Sequence, residues 1–421
     1  MIQTKKDGII EQALLQALKV VLNIDEEDAT INQTNIKETN IKETLLSQFS
    51  NEQWKAFFAL ADRHEVLTLL EPVLREQALP GELGETLLRR QARTVHKGIC
   101  LQMLDVKITK LLESEKITAI TLKGNAVAVY YPTPEMRKTT DIDLLVPNEK
   151  DADKSIELLC QNGFIRSKEQ HALHHVVLGS PDGQVVEIHK LLANPFMDQK
   201  LNHYLEQVKD DSLKHCHKVS YQGISWYAYD MPWQGYYLLI HMLQHFLTSG
   251  FGLRNLCDWV VLWNHCESKE ERAEFVRLVS ESGLMRFAAA VTAVCIENLG
   301  LKSEKSPVPY QEFPDKKITD ALLEDIFSAG EFGHSEETRM VGLQGTSPWA
   351  YVKEFHHQMH LNFPNEGKNA LLWPILWVKT LTIFLKNNKR LHRPSVRALM
   401  KKAKERGELV DELAGKRAEK Y

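Results

Sequence analysis

Paired cysteines, long apolar runs and a strong charge imbalance are all missing from this chain of 421 residues. The six cysteines, at positions 100, 160, 216, 257, 266 and 295, form no CxxC pair. That argues against a disulfide framework and fits reduced thiols in a cytoplasm. A formal net charge of -4 argues against a whole-protein nucleic-acid binder. The tryptophans stand at helical or strand spacing and form no stacking platform, so no specific nucleic acid is expected as a partner. The N-terminal stretch MIQTKKDGIIEQALL has no apolar core and no cleavage site, so no secretion signal is expected. The most apolar run, Leu371 to Leu385, is too short to span a bilayer and is interrupted by Pro374 and Lys379. A buried helix is the expectation there. Weak membrane-surface contact, helped by the basic tail that follows, is the alternative.

What is present is ordinary in bulk and uneven in pattern. The apolar fraction of 43% and charged fraction of 26% describe a globular chain long enough for two or three domains. Residues 1–113 read as helices, with apolar residues at three- and four-residue spacing over Ile9–Leu22, Glu52–Ala61 and Glu85–Leu112. The direct repeat of NIKET between them reads as a surface loop or helix start. Residues 114–230 read as a small mixed module. ITAITLKG and DIDLLV are strands, NAVAVYY is a helix closed by Pro132 and Pro134, and Asp151–Asn162 is a helix stopped by Gly163. Three more strands follow, two of them joined by the turn SPDG. Residues 231–421 return to helical spacing, with boundaries around 330–348 and 362–368 and a basic final helix.

The chemistry concentrates in RKTTDIDLLVP, where two carboxylates stand at the front of an apolar strand. Residues i and i+2 of a strand share a face, so Asp141 and Asp143 project together. Side by side they repel unless a cation lies between them, and hard divalent cations take such oxygen ligands. Two solvated aspartates at a strand end are the bland alternative. VVEIHK alternates in the same way and puts Glu187 and His189 on one face. If that strand neighbours the first, three carboxylates meet, as a two-metal site for in-line displacement requires. The competing reading for Glu187 is an ion pair with Arg137. Upstream, Lys123 and Gly124 end a strand and open a helix, which suits phosphate: glycine permits close backbone approach and lysine supplies a point charge. Arg137 and Lys138 can reach the same phosphates or simply balance local charge.

In that order, LKGNAVAVYYP, RKTTDIDLLVP, a helix ending QNGF, and VVEIH resemble the nucleotidyltransferase superfamily that includes DNA polymerase β and the antibiotic nucleotidyltransferases. The similarity is to a large bacterial group of poorly characterised members. It covers Ile117 to Lys190 and continues more loosely through HMLQHFLTSGFGLRNLCDW. The resemblance implies an α+β fold, with a polymerase β-like mixed-sheet core flanked by N- and C-terminal helical domains. It implies two Mg²⁺ ions, with Mn²⁺ as a substitute, held by Asp141, Asp143 and Glu187. The implied reaction is attack of an acceptor hydroxyl or amine on the α-phosphate of a nucleoside triphosphate, ATP first among them, with release of pyrophosphate. Members of the group resemble accessory enzymes of polysaccharide or peptide natural-product pathways, so the acceptor is a small molecule, glycan or peptide. Where the superfamily has Gly-Ser, this chain has Gly124-Asn125, whose amide would replace the hydroxyl as a phosphate contact. That departure keeps open a catalytically silent relative serving as a binding or scaffold protein.

His189 is expected to orient Glu187 or to handle an acceptor proton, with a buried structural histidine as the alternative. HALHH, at 171–175, has no matching cysteine or second histidine pair at ligand spacing, so zinc is not expected there. His241 and His245 lie one helical turn apart, as do Arg254 and Asp258. The resemblance places this segment beside the acceptor or base pocket. The alternative is internal: an Arg254–Asp258 pair and histidines filling an interface.

Overall fold

The computed structural model describes residues 2–23, 45–167, 173–331, 348–363, 365–390 and 406–414. The NIKET repeat, the first two residues of HALHH, most of the stretch around 330–348 and much of the basic tail lie outside the described residues. The fold is α+β: a seven-stranded mixed sheet set among helices.

The sheet comprises β1 (Ile120–Thr121), β2 (Asp141–Leu145), β3 (Ile165–Arg166), β4 (His175–Gly179), β5 (Val185–His189), β6 (Cys216–Tyr221) and β7 (Ile224–Tyr229). Their spatial order is β3-β4-β5-β2-β1-β7-β6. β2 runs parallel to β5 and antiparallel to β1, and β1 runs parallel to β7. Alternation along β2 and β5 decides what each face does. Ile142, Leu144, Val186 and Ile188 are buried with Leu104, Ile108 and Leu112 of the Gly81–Ser114 helix and with Ile156 and Leu159 of the Glu149–Gln161 helix. Each such side chain contributes about 1.5–3 kcal/mol of burial. That apolar seam locks the register, because a slip of one residue would turn every acid into it. Asn148 caps the Glu149–Gln161 helix by accepting from the Lys150 and Asp151 amides at 3.0 and 3.2 Å.

The β6–β7 hairpin and the Gln199–Asp211 helix are additions to the expected module. Gln222 and Gly223 both have positive φ, 48° and 81°, as a tight two-residue hairpin requires. The NAVAVYY helix is shorter than its pattern, one turn from Asn125 to Ala128. Pro132 and Pro134 disfavour helical backbone before them and turn the chain early.

Helices that precede and follow the sheet in the chain share one core. Leu14 and Leu18 of the Ile2–Val21 helix and Phe57 of the Asn51–Arg63 helix cluster with Trp259, Phe287 and Val291 of the C-terminal helices. The Met231–Leu247 and Leu253–Asn264 helices approach closely at Gly235, where an added Cβ would fall 2.4 Å from the Trp263 ring. One expectation fails. The Leu371–Leu385 run lies in a 3₁₀ turn and the Trp373–Arg390 helix that follows it, and these are not buried. Leu371 is 87% exposed and Val378 65%, and among the described side chains of the run only Leu376 and Thr380 are enclosed. Apolar content alone does not report burial when no neighbouring element covers the face. No helix among the described residues is long and apolar enough to cross a membrane.

Candidate active site

Asp143 stands opposite Glu187 in the parallel β2–β5 ladder, and Asp141 opposite Val185. Asp141, Asp143, Glu187 and His189 therefore occupy one face, the side opposite the apolar seam. Asp143 Oδ1, Glu187 Oε2 and His189 Nε2 converge: the imidazole nitrogen is 3.1 Å from the first and 3.4 Å from the second. Asp141 stands at the mouth, half-buried, with Oδ1 accepting from the Thr140 hydroxyl at 2.9 Å. Lys123 reaches the same cluster from the end of β1. Its Nζ lies 3.2 Å from Asp143 Oδ2 and 4.0 Å from Asp141 Oδ2.

Electrostatics follow from this crowding. Burial alone would depress the Lys123 ammonium, but Asp143, Asp141 and Glu187 outweigh it and hold its pKa above the ordinary lysine value. Burial likewise opposes charge on His189, yet its hydrogen bonds to Asp143 and Glu187 raise it to about 9. Burial would raise Glu187, but the imidazoles of His189 and His175 bring it below the usual carboxylate range. Lys123 and His189 thus supply the positive charge that permits three carboxylates on one face.

Gly124 makes the Lys123 approach possible. Its φ is +62°, and an added Cβ would sit 3.0 Å from Thr139 Cγ2. Asn125 does not face outward as a phosphate contact. It is buried, and its amide donates to Asp105 Oδ2 at 2.9 Å, with Thr121 Oγ1 on the same carboxylate. Burial raises Asp105 to about 6 even so.

Arg137 is also taken. Nε and Nη2 grip Asp258 at 2.7 and 2.6 Å, and Tyr131 donates to the same carboxylate at 2.7 Å. It therefore pairs neither with Glu187 nor with an outward phosphate position. Arg254 and Asp258 do not form the intrahelical pair of the alternative reading. Arg254 instead lies 2.6 Å from Glu65 and 2.8 Å from Glu331, and donates to the Lys138 carbonyl at 3.1 Å. Lys138 pairs with Glu65 at 2.8 Å and lines a cavity of ≈ 200 Å³ beside the mouth of β2. Arg90, Arg93 and Lys97 line the same cavity together with Thr139 and Thr140.

The Met231–Leu247 helix lies over the acidic face, tied to β1 by Gln234 Nε2 donating to the Leu122 carbonyl at 2.7 Å. Burial and then the Lys123 charge hold His241 well below the usual histidine range, and the same causes lower His245 to about 3. Both rings are neutral beside the cluster. Three neighbours escaped the sequence reading. Tyr237, one turn before His241, is buried with its ring centroid 6.2 Å from that of His241, and burial, then Asp143 and Glu187, raises its pKa. Its i−4 relation to His241 was the available signal. His175 contacts Glu187 at 3.3 Å, and His174 contacts His175 at 3.0 Å. Antiparallel pairing of β4 with β5 brings them in, a partnership that ligand spacing within HALHH does not reveal.

A mixed sheet whose neighbouring strands carry acids on one shared face, with a lysine-glycine turn beside them, is a nucleotidyltransferase-like arrangement. The sequence model of the family described as "Uncharacterised nucleotidyltransferase" matches residues 50–300, more than half the chain, and the chain belongs to that family. No curated protein matches. Among solved structures, an antigenic nucleotidyltransferase-like protein from Paracoccidioides brasiliensis is 16% identical, the likeness covering 48% of this chain and 93% of that one. Its TM-score of 0.29 is too low to carry a structural argument.

Proposed function

We propose that the chain is a divalent-metal-dependent nucleotidyltransferase that moves a nucleoside monophosphate from a nucleoside triphosphate to a hydroxyl or amine acceptor. The observation that carries this reading is the register pair Asp143–Glu187, with Asp141 at the mouth and Lys123 Nζ 3.2 Å from Asp143. Asp141, Asp143 and Glu187 would hold the cations, Mg²⁺ or Mn²⁺. The donor set fits: all three offer hard carboxylate oxygens, and Asp143 Oδ2 is buried and makes only an ion pair, at 3.2 Å, with the Lys123 ammonium among the interactions of the described residues. When bound, such cations supply Lewis-acid stabilisation to the α-phosphate and the leaving oxygen.

The chain's own groups do the rest. Lys123 stays protonated and counters the charge of the triphosphate. Glu187 is ionised at neutral pH and oriented by two imidazoles, so it can accept the proton of the acceptor. The acceptor oxygen or nitrogen forms a bond to the α-phosphorus. The bond from that phosphorus to the bridging oxygen breaks, and pyrophosphate leaves with the electron pair. Arg137 acts through Asp258 and Thr139 to fix the loop before Asp141, so it is a positioning residue. The acceptor is a small molecule, glycan or peptide.

Transfer from nucleotides labelled at the α-phosphate tests the reading. The Asp141→Ala/Asp143→Ala double variant is expected to lose metal-dependent transfer, and full activity in it contradicts the assignment. One observation favours a catalytically silent scaffold as a second reading: two of the phosphate contacts suggested by sequence, Asn125 and Arg137, are engaged internally. Calorimetry separates the two, because the scaffold predicts no metal-dependent nucleotide affinity at millimolar ligand.

A further inference from the structure

On the β4 side of Glu187 the acidic face gives way to imidazoles. His175 opens β4 and pairs across the ladder with His189. Just before it the chain bends, and the His174 carbonyl accepts from the Lys190 and Leu191 amides at 2.8 and 3.2 Å. Strict strand alternation would send His174 to the opposite face; the bend brings it in. The three ring centroids stand 4.2, 5.1 and 5.2 Å apart. One ring nitrogen from each histidine falls within 4.8 Å of the others. Glu187 Oε2 completes the group, 3.3 Å from His175 Nδ1 and 3.4 Å from His189 Nε2.

Two observations separate this cluster from ordinary packing. His189 is 3% exposed, yet its Nδ1 has no hydrogen-bond partner. A buried polar atom left so costs about 1–3 kcal/mol unless something else satisfies it. His174 is also enclosed, and its Nδ1 likewise has no hydrogen-bond partner. An imidazole binds a metal only through a deprotonated nitrogen, so an ion there must displace one of the protons that Asp143 and Glu187 favour on His189.

Three imidazoles and one carboxylate make a poor set for Mg²⁺, which demands oxygen ligands. They suit Zn²⁺ and its neighbours among the transition ions. We propose that His174, His175 and His189, with Glu187 shared with the carboxylate site, bind one transition-metal ion of the Zn²⁺ type, separate from any cation at Asp141. An ion there would anchor β4 to β5 beside the acidic face and fix the orientation of Glu187. This site does not depend on nucleotide transfer.

The test uses metal-stripped full-length protein titrated with Co²⁺, whose visible absorption reports imidazole coordination, and with Zn²⁺ followed by metal analysis after dialysis. One ion per chain is expected. His174→Ala and His175→Gln should each weaken binding by at least about 10-fold, whereas Asp141→Asn should leave the Co²⁺ affinity and spectrum as in the wild type. Circular dichroism confirms that each variant is folded. Should a histidine variant not fold, the wild type still decides, because Zn²⁺ must raise its melting temperature. Absence of bound ion or of that rise overturns the proposal. So do folded histidine variants that bind like the wild type, or loss of the signal in Asp141→Asn, which would place the ion among the aspartates. Failure of nucleotide transfer with Co²⁺ binding intact would count against the proposed function and leave this site standing.

Discussion

Two charged clusters lie within a few residues of each other in this chain, and they are built on opposite plans. Around Arg137 acids and bases pair off, although Arg254 Nε is buried without a hydrogen-bond partner. Asp258 receives two guanidinium bonds and a tyrosine hydroxyl, while Arg254 is shared between Glu65 and Glu331. Around Asp143 three carboxylates and several histidines share too few donors, and buried atoms of Asp143 and His189 lack hydrogen-bond partners. The matched cluster ties the helices of both ends of the chain to the loop that presents Asp141. The mismatched one is where a ligand has something to satisfy. Charge balance distinguishes a structural ion network from a candidate site more sharply than burial does, since both clusters are largely enclosed and both hold a buried atom without a hydrogen-bond partner.

The comparison breaks first at Arg137. Arg137→Ala should destabilise the fold by about 3–5 kcal/mol by stranding Asp258 in the interior, read as a shift in denaturation midpoint. A near-neutral result would dissolve the distinction. Asp143→Asn should do the reverse: it should leave a folded protein whose nucleotide transfer falls by about 100- to 1000-fold, measured with α-labelled nucleotide.

Asn125→Ala sharpens the boundary between the clusters. It should cost about 1–3 kcal/mol by removing a donor from buried Asp105, with nucleotide affinity little changed. A large loss of affinity with unchanged stability would restore Asn125 as a ligand contact.

The smallest effect is on pH. His174 and His245 have folded pKa values near 2 and 3, below the ordinary 6.5. The unfolded chain therefore binds protons that the folded one refuses as pH falls below 6.5, and stability falls with it. Each group contributes a slope of up to about 1.4 kcal/mol per pH unit. Asp105, raised to about 6, opposes this between pH 6 and 4, because the folded state takes up that proton first. His189, raised to about 9, contributes stability fully present below pH 6.5 and lost as pH rises through 9. Melting temperature should therefore decline on both sides of pH 6.5. The acid limb should become shallower in His245→Asn.

The acidic face was legible in the sequence because strand alternation is a local rule. Asp141, Asp143, Glu187 and His189 needed only two strands side by side, and the β2–β5 pairing supplies that. The fates of Arg137 and Asn125 were not legible. Their partners, Asp258 and Asp105, lie 121 and 20 residues away and are chosen by helix packing, not by spacing. The clustering of His174 and His175 with His189 was hidden for the same reason, since the third imidazole comes from another strand. The exposed Leu371–Leu385 segment shows the converse error: periodicity identifies an apolar helix, and only the neighbours decide whether it is covered.

The most direct test of the acidic face is calorimetric titration of the metal-stripped full-length chain with ATP, with and without Mg²⁺, in wild type and Asp143→Asn. Nucleotide affinity in the wild type that requires Mg²⁺, and its loss in the variant, is the predicted result. Equal affinity with and without the cation, or undiminished binding in Asp143→Asn, would contradict it.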